Sequence, residues 1–571
     1  MLNIVIFSGG SGSISLQNGL KSISKYIKIT NIINAYDDGK STGICRKIMN
    51  VLGPSDVRKN QFIQYLNSRE KYNQSIISFF DKRYDLPKNK EKDMCIKLLK
   101  ELKLNEKFIL EAIDIFFENY NSKYEFKDFN LANIVYSAMF KKYGYENTIK
   151  KFSEFLEIDD NVILNSYDNL FLKAKTKNGK IINSESDIVN FNNENDKIEE
   201  IYFKNDKNEN ILPKSNTKVL ETIYEADLII FSSGTQWSSL IPTYMTIGIN
   251  DALEKTKAKK ILIMNNSQDK DMIGIDGENI LNIISKYVNL KNIIILFNED
   301  ADKKMNFNKN KKNYKIYKMG NFNGKHDPKL LAKFCLYEYY GLDKIPNLLL
   351  FDFDDTIYSR NDDEYKISLD NINLLNEISL KYKSVLITGN SFIHLYDKLN
   401  YLKEINFEMW ADGGIINYKN NKRINTPNKY KVEKINEIIE FLYYNLKIDP
   451  VKISKRGDNE FITCISIRPL NNEVRIILKE CLNLYFEKNK INNIAKITGK
   501  TTIDIFCKET NKIKIFDENI DYNNYEFSFY IGDECEIGND KEIANKCYKF
   551  YNVKSIYDTN ILMTLLKENY E

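Results

Sequence analysis

Histidine is scarce in this chain, and its cysteines are scattered. The 571 residues include two histidines, His326 and His394, and eight cysteines without a C-x-x-C pair. Zinc sites are built mainly from clustered cysteine and histidine, and disulfide frameworks from regularly spaced cysteines. The sequence therefore supports neither a zinc cluster nor a disulfide framework, and its isolated cysteines suit a reducing cytoplasm.

The sequence also lacks a strong excess of either charge and a long apolar run. It holds 83 Lys and Arg against 79 Asp and Glu, a formal net charge of +4, which is too balanced to predict a nucleic-acid surface. No segment approaches the roughly 18 apolar residues of a membrane span. Residues 1–7 read as a strand without a basic leader, so we expect a cytoplasmic protein that binds neither nucleic acid nor membrane.

Hydrophobic residues make up 43% of the sequence, enough to fill several cores in a chain of 571 residues. Short apolar runs alternate with stretches of helical spacing, and small polar residues follow several of the runs. This pattern predicts an α/β fold with parallel sheets and with ligand loops at the carboxyl ends of the strands.

The most informative motif is D-x-D-x-T at residues 352–356, directly after the apolar run 348–350. Residues two apart on an extended strand project to the same side, so Asp352 and Asp354 can face one phosphoryl group. One carboxylate can attack phosphorus while the other protonates the leaving oxygen and later activates water. Clustered carboxylates repel each other unless a cation neutralises them, and hard oxygen ligands of this kind suit magnesium.

Three later segments carry compatible chemistry, in the order Thr388, Lys512, and then Asp533 with Asp540. The threonine follows a second apolar strand and can hydrogen-bond a phosphate oxygen. The lysine, with Lys508 and Lys514 close by, can neutralise a transferring phosphoryl group. The two aspartates follow a third strand of the buried type and can complete a metal site.

The order of these segments resembles that of the haloacid dehalogenase-like phosphatases, over roughly residues 346–571. The resemblance implies hydrolysis of a phosphomonoester through an aspartyl-phosphate, with magnesium as the cofactor. The nearest branch is the Cof-like one, which includes sugar-phosphate phosphatases, and it implies an inserted cap at about 415–497. The implied roles are Asp352 as nucleophile, Asp354 as general acid and base, Thr388 as phosphate binder, Lys512 as charge stabiliser, and Asp352, Asp354, Asp533 and Asp540 around magnesium.

The first half has phosphate-type signals of its own. Strand 4–7 leads into a glycine-rich loop and then a helical stretch, so backbone N–H groups and a helix amino terminus can face an anion. A second strand leads to Asp37 and Asp38 with hydroxyls after them, a loop that can hold magnesium, ribose hydroxyls or phosphate oxygens. A later strand at 226–231 again ends in small polar residues.

These motifs resemble, in their order, those of the CofD-like superfamily. They are Gly9 to Gly12, Asp37 to Gly39 with Ser41 to Gly43, Pro54 to Arg58, Asn130 to Asn133, and Ala226 to Pro242. The resemblance covers roughly residues 1–343 and implies a Rossmann-like domain that binds a nucleotide diphosphate or nucleotide sugar. The implied binding residues are Gly9, Gly10, Ser11, Gly12, Asp37, Asp38, Ser41, Thr42, Asn133, Gly234 and Thr235.

The sequence thus predicts two Rossmann-like parallel-sheet modules, the second with an inserted α+β cap. The expected function is bifunctional, with a nucleotide-binding or transferase module fused to a magnesium-dependent phosphatase that acts on a small phosphorylated metabolite. The alternative is that the first module is a non-catalytic nucleotide-sugar sensor whose output is the phosphatase. A homo-oligomeric assembly is left open.

Overall fold

The protein is described by a computed structural model. It covers residues 1–9, 12–121, 124–159, 161–308, 311–359, 369–392, 395, 407–419, 422–425, 428–458, 460–468, 470–498, 501–521, 524–538 and 540–568. Two of the expected phosphate-loop residues, Gly10 and Ser11, lie outside these described residues. The chain divides into two compact units, Leu2–Gly341 and Leu342–Glu571.

The first unit is built on a seven-stranded sheet whose strands are all parallel. The sheet runs in the order β12-β11-β10-β9-β1-β2-β5. Two small antiparallel sheets accompany it, one of β3 and β4 and the other in the order β7-β6-β8. The strands are β1 (Leu2–Phe7), β2 (Ile27–Ile33), β3 (Arg83–Tyr84), β4 (Phe129–Asn130), β5 (Val162–Leu164), β6 (Phe171–Thr176), β7 (Ile181–Ile182), β8 (Ile198–Lys204), β9 (Leu228–Phe231), β10 (Lys259–Ile263), β11 (Ile293–Asn298) and β12 (Tyr314–Tyr317).

Helices connect and cover these strands, which explains why β1 and β9 are almost continuously apolar and buried. The sequence order reverses at β1, because β2 lies on one side of it and β9 on the other. The α-helices are Ile14–Gly19, Lys40–Met49, Ser55–Asn67, Gln74–Asp81, Glu91–Glu101, Lys107–Glu118, Leu131–Tyr143, Tyr145–Leu156, Glu185–Val189, Thr217–Glu225, Ile241–Tyr244, Ile249–Lys255, Gly277–Ile284 and Pro328–Tyr340.

The second unit has its own seven-stranded sheet, in the order β17-β16-β15-β14-β13-β22-β23. Its five strands from β15 to β23 along this order are parallel, and β16 and β17 extend it as antiparallel strands. The strands are β13 (Leu348–Asp352), β14 (Lys383–Ile387), β15 (Glu408–Ala411), β16 (Ile416–Lys419), β17 (Lys422–Arg423), β22 (Ser528–Gly532) and β23 (Lys549–Asn552). The predicted α/β class with two Rossmann-like sheets is confirmed.

A separate four-stranded antiparallel sheet, β18-β19-β21-β20, is inserted in this unit. Its strands are β18 (Ile453–Gly457), β19 (Ile462–Ile467), β20 (Asn493–Thr498) and β21 (Thr502–Cys507). The α-helices of the unit are Leu369–Lys381, Ile435–Glu440, Asn472–Lys488, Lys512–Asn519, Lys541–Ala544 and Ile556–Lys567.

The inserted sheet differs in its bounds from the expected cap at 415–497. Strands β16 and β17 belong to the large sheet, so residues 416–419 and 422–423 are part of the core, while β20 and β21 carry the insertion on to Cys507. A core of its own, including Ile465, Leu482 and Ile505, stabilises the insertion. Among the described residues of both units, no helix is long and apolar enough to cross a bilayer.

Candidate functional site

The candidate site of the second unit lies where three neighbouring parallel strands end. Strand β13 lies between β14 and β22, and it ends at Asp352. Thr388 directly follows β14, and Asp533 directly follows β22. The carboxyl ends of adjacent parallel strands meet at one edge of the sheet, which explains why motifs far apart in the sequence come together here.

Three carboxylates converge at this edge. Ligand oxygens of Asp352, Asp533 and Asp540 all lie within 4.8 Å of one another. Burial raises the pKa of Asp352 well above its usual range, and the neighbouring charges of Asp540 and Asp533 raise it further. A hard divalent cation would neutralise this cluster, and an all-oxygen donor set of this kind fits magnesium.

Asp354 is placed apart from this carboxylate cluster. Its Oδ2 accepts a hydrogen bond from Nδ2 of Asn390 at 3.1 Å, and the cluster of possible metal ligands found among the described residues does not include it. The backbone of Asp355 has a φ of 55°, and its N–H donates to the carbonyl of Tyr358 at 2.6 Å. A tight turn therefore follows Asp354 directly, just after the end of β13.

Two further predicted residues lie around the cluster. Nζ of Lys512, at the start of a helix, is 3.4 Å from Oδ1 of Asp540. The hydroxyl of Thr388 is buried, and its Oγ1 accepts from the N–H of Asn390 at 3.1 Å. The structure therefore joins Lys512 to the carboxylates and holds Thr388 beside the asparagine that binds Asp354.

A site residue that the motifs did not assign is Asn390. It binds both Asp354 and Thr388, and it follows Thr388 by two positions in the sequence. Its position shortly after the end of a strand was the one signal in the sequence that could have indicated it. The D-x-D-x-T motif was interpreted from proton and phosphoryl transfer, and the side-chain amide of Asn390 takes part in neither.

Asp412, which follows β15, is a second residue without a role assigned from the sequence. Both of its carboxylate oxygens are buried, and they lie near the hydroxyl of Thr463 and the guanidinium of Arg456. Burial raises the pKa of Asp412 to about 6, although the charge of Arg456 and the hydroxyl of Thr463 act in the opposite direction.

This raised pKa predicts a pH-dependent effect of the substitution Asp412→Asn. The carboxyl of Asp412 has a pKa near 3.9 in the unfolded chain and of about 6 in the folded protein. Its protonated form therefore contributes to the free energy of unfolding below about pH 4, and this contribution is lost as the pH rises through about 6. Asp412→Asn should therefore stabilise the protein by about 2 kcal/mol more at pH 8 than at pH 4.5. Thermal unfolding at the two pH values checks this, and an equal effect at both would contradict the burial of a charged group.

In the first unit, a cavity of about 180 Å³ lies at the carboxyl end of the large sheet. It is at the position where the strand order reverses, between the loops that follow β1 and β9, which is the usual ligand position in open parallel sheets. Its lining residues are Gly9, Gly12, Ser15, Ser233, Gly234, Thr235, Ser239, Asn265, Ser267, Asp269, Gly324, Lys325 and His326. Four of the predicted binding residues, Gly9, Gly12, Gly234 and Thr235, are therefore brought together.

The side chain of Asn265 organises one wall of this cavity. Its Oδ1 accepts from the N–H of Gly234 at 2.9 Å, and its Nδ2 donates to Oδ2 of Asp269 at 2.6 Å. Burial raises the pKa of Asp269 to about 6. Sequence reasoning missed both residues, since a polar loop after β10 carries no distinctive spacing.

His326 also lines the cavity but is held by the fold. Its buried Nε2 donates to the carbonyl of Met264 at 2.9 Å, and burial lowers its pKa to about 4. The next residue, Asp327, caps the following helix by accepting from the N–H of Leu330 at 2.9 Å. His326 is therefore fixed by the fold directly before the start of that helix.

Gly12 has a steric role in this cavity that can be tested. A Cβ at this position would lie 2.0 Å from the carbonyl oxygen of Ser233 and 2.9 Å from Cα of Gly234. Both are backbone atoms that no rotamer change can move, so Gly12→Ala should cost about 2 kcal/mol or more and weaken the binding of any ligand that the cavity takes. Gly179→Ala, at an exposed turn with a φ of 82°, is the control and should cost only about 1 kcal/mol without affecting binding. Thermal unfolding and nucleotide titration measure both effects.

Of the described residues predicted to bind a ligand in the first unit, Asp37, Asp38, Ser41, Thr42 and Asn133 are not among those that line the cavity. Asp37 accepts from the N–H of Gly39 at 2.9 Å and from the hydroxyl of Ser55. Asp38 accepts from the N–H of Ser186 at 2.9 Å. Glu185 is an acidic neighbour of these carboxylates. Burial and the charges of Asp37 and nearby aspartates raise the pKa of Glu185 to about 10.

Ser41, Thr42 and Asn133 are all buried. The Asn133 amide donates to Ser41 Oγ at 3.0 Å and to Thr42 Oγ1 at 3.4 Å. These bonds connect the helices Lys40–Met49 and Leu131–Tyr143. The three residues therefore join two helices, and their part in ligand binding stays a prediction.

Comparison with known proteins decides the family of the first unit. The family model described as 2-phospho-L-lactate transferase CofD matches residues 4–327, more than half of the chain. The chain belongs to this family. The resemblance stated from the motifs of the first half is thereby confirmed.

Relatives of known name match the same region. A Thermotoga maritima protein, provisionally named a gluconeogenesis factor, is 29% identical over 265 residues, covering 46% of this chain and 68% of its own length. The gluconeogenesis factor of Bacillus subtilis is 25% identical over 263 residues, covering 46% and 67%.

Solved structures are similar to either part of the chain. A UPF0052 family member from Bacillus halodurans has 22% identity and a TM-score of 0.41, covering 53% of this chain and 82% of its own. A trehalose-6-phosphate phosphatase related protein has 12% identity and a TM-score of 0.29, covering 39% and 97%. An IMP-nucleotidase from Plasmodium falciparum has 15% identity and a TM-score of 0.28, covering 42% and 73%.

Proposed function

We propose that the second unit is a magnesium-dependent phosphatase of small phosphomonoesters, with Asp352 as its nucleophile. The observation that carries this proposal is the convergence of three carboxylates, with Asp352 and Asp533 at the ends of adjacent parallel strands and Asp540 at the start of a short helix. Their mutual repulsion favours a bound cation, and a cation beside a carboxylate nucleophile is the arrangement that phosphoryl transfer needs.

The proposed reaction has two steps. A carboxylate oxygen of Asp352 attacks phosphorus, the bond from phosphorus to the leaving oxygen breaks, and Asp354 gives that oxygen a proton. Asp354 then takes a proton from water, whose oxygen attacks phosphorus and releases inorganic phosphate from the Asp352 acyl-phosphate. The bond from Asn390 to Oδ2 of Asp354 keeps this carboxyl near the leaving group.

Thr388 and Lys512 have supporting roles in this proposal. The hydroxyl of Thr388 binds a phosphate oxygen, and the ammonium of Lys512, 3.4 Å from Asp540, offsets part of the negative charge. Magnesium held by Asp352, Asp533 and Asp540 would screen the charge of the phosphoryl group.

For the first unit, we propose that the cavity beside Gly12 and Gly234 binds a nucleotide diphosphate or nucleotide sugar. The glycines allow backbone N–H groups to approach phosphates, and the cavity lies where parallel sheets usually bind nucleotides. Membership in a transferase family supports catalysis, with the acidic group around Asp37 and Asp38 near metal or substrate. The gluconeogenesis-factor relatives instead favour a nucleotide-sugar sensor that regulates the phosphatase.

Two experiments test these proposals. Phosphate release from a panel of phosphorylated sugars and nucleotides, with and without magnesium, tests the phosphatase, and no release from any member would contradict it. Incubation of the full chain with nucleotide diphosphate donors separates transferase from sensor. A transferase releases a nucleoside monophosphate, whereas a sensor binds the donor without turnover.

A further inference from the structure

The helix Asn472–Lys488 in the second unit has two apolar stripes. One of them, which includes Leu482, is buried in the hydrophobic core of the inserted sheet. Ile477, Cys481 and Leu484 follow one another at spacings of four and three residues, which places them together on another side of the helix. Ile477 and Leu484 are 62% and 66% exposed. A helix that packs against one sheet needs a single apolar stripe, so the exposed stripe is available to a second surface.

The exposed stripe borders an open groove of about 780 Å³. The other wall of the groove is formed by the consecutive helices Ile435–Glu440 and Phe441–Asn445, where Tyr444 is 64% exposed. The rings of Phe441 and Tyr485 stack with their centroids 3.8 Å apart and join the two walls. Exposed apolar side chains from both walls therefore meet at one groove, and contiguous apolar surface of this kind marks an interaction site.

Carboxylates lie on both sides of the apolar side chains. Glu437 and Glu440 line the groove and are exposed, and Lys488 is the single base among the described residues of its lining. Glu437 also pairs with Lys434 at 3.1 Å, but an exposed ion pair of this kind contributes little and a partner can replace it. The lining of the groove is therefore acidic on the wall that carries Tyr444.

The helix Asn472–Lys488 adds carboxylates on the opposite side. Glu473 and Glu487 are exposed and lie fourteen residues apart, so they share one side of the helix. The helical spacing places both of them on the side of Leu484 that faces away from the groove. The exposed apolar surface is thus flanked by negative charge along both of its long edges.

These charges decide between the possible occupants of the groove. Nucleic acid and anionic lipid would be repelled by the flanking carboxylates. A second copy of this chain is also disfavoured. In a symmetric pair the two copies of the helix run antiparallel, which brings Glu473 of one copy near Glu487 of the other. A segment with apolar and basic side chains matches both the apolar surface and its edges.

We propose that this acidic groove is the docking surface for an amphipathic helix of a partner protein, whose apolar stripe has lysine or arginine on both sides. Apolar side chains at helical spacing enter the groove between Tyr444 and Leu484. The basic side chains pair with Glu437 and Glu440 at one edge and with the carboxylates of the helix Asn472–Lys488 at the other. The surface contains none of the residues assigned to phosphoryl transfer, so this inference is independent of the proposed phosphatase reaction.

The test is the binding of two labelled peptides to the full chain, measured by fluorescence anisotropy. Both peptides carry leucine at helical spacing, and one has lysine on both sides of the leucine stripe where the other has glutamate. We expect the lysine peptide to bind about tenfold more tightly or better, with an affinity that falls as salt is added. The double variant Tyr444→Ser and Leu484→Ser should lose about tenfold in affinity for it. The matched control Ile247→Ser, at an exposed apolar position of the first unit, should lose nothing.

A charge reversal tests the flanking carboxylates directly. Glu437→Lys together with Glu440→Lys should shift the preference toward the glutamate peptide, and thermal unfolding should show that every variant is folded. Equal binding of the two peptides, or binding of neither, would overturn the proposal. Binding that survives the double serine variant would place the peptide elsewhere. A dimer in light scattering that Leu484→Ser dissociates would make a second copy of the chain the occupant and would likewise overturn it.

Discussion

Asp352→Asn is expected to lower phosphate release by about 10⁴-fold or more, because the amide cannot attack phosphorus and form the acyl-phosphate. The substitution keeps the size of the side chain and removes a carboxyl whose pKa is raised by burial and by neighbouring carboxylates. Folding should therefore be preserved or slightly improved. Steady-state phosphate release and thermal unfolding of the same preparation measure both quantities.

The matched control for this prediction is Glu480→Gln, another carboxylate-to-amide change, on an exposed helix face. Its phosphate release should equal that of the unsubstituted protein. Retained activity in Asp352→Asn would eliminate Asp352 as the nucleophile. Loss of activity together with loss of the folded state would require a comparison with Asp354→Asn, which should fold and should also be strongly impaired.

Magnesium is expected to stabilise the protein after treatment with a chelator, raising the unfolding temperature of the second unit by roughly 5 °C or more at saturation. The reason is that three carboxylates lie within 4.8 Å of one another and repel in the metal-free protein. Asp533→Asn removes one ligand and part of the repulsion. This variant should be more stable than the unsubstituted protein without magnesium and should gain much less from its addition.

Calcium, which prefers longer ligand distances, is a useful comparison in the same unfolding experiment. Phosphate release should require magnesium and should fall about 100-fold or more in Asp533→Asn. An unfolding temperature that does not respond to magnesium, or an equal response in Asp533→Asn, would contradict a metal site at these three carboxylates.

Much of the fold could be predicted from the sequence because parallel strands buried on both faces leave a simple pattern of short apolar runs. The same physics located part of the sites. Asp352 and Thr388 directly follow such runs, and adjacent parallel strands bring their carboxyl ends together, so strand-end polar residues converge. The glycine loops beside Gly12 and Gly234 were found for the same reason.

Other features could not be predicted from single-sequence patterns. Arg456 and Asn265 have positions determined by tertiary packing, and neither belongs to a spacing with a chemical meaning. The bounds of the inserted sheet were misplaced because antiparallel strands such as β16 and β20 look alike in sequence, although one extends the core sheet and the other lies in the insertion. The hydrogen bonds that join Asn133 to Ser41 and Thr42 likewise depend on how two helices pack.

In the proposed reaction the second unit forms a covalent aspartyl-phosphate at Asp352. Treating the protein with borohydride during turnover would reduce such an acyl-phosphate to an alcohol, with release of phosphate, and would convert the aspartate to homoserine. Mass spectrometry of the peptides then locates the change. We predict homoserine at position 352 only when substrate and magnesium are both present, whereas an unmodified Asp352 under turnover, or modification at Asp354 instead, would contradict the account.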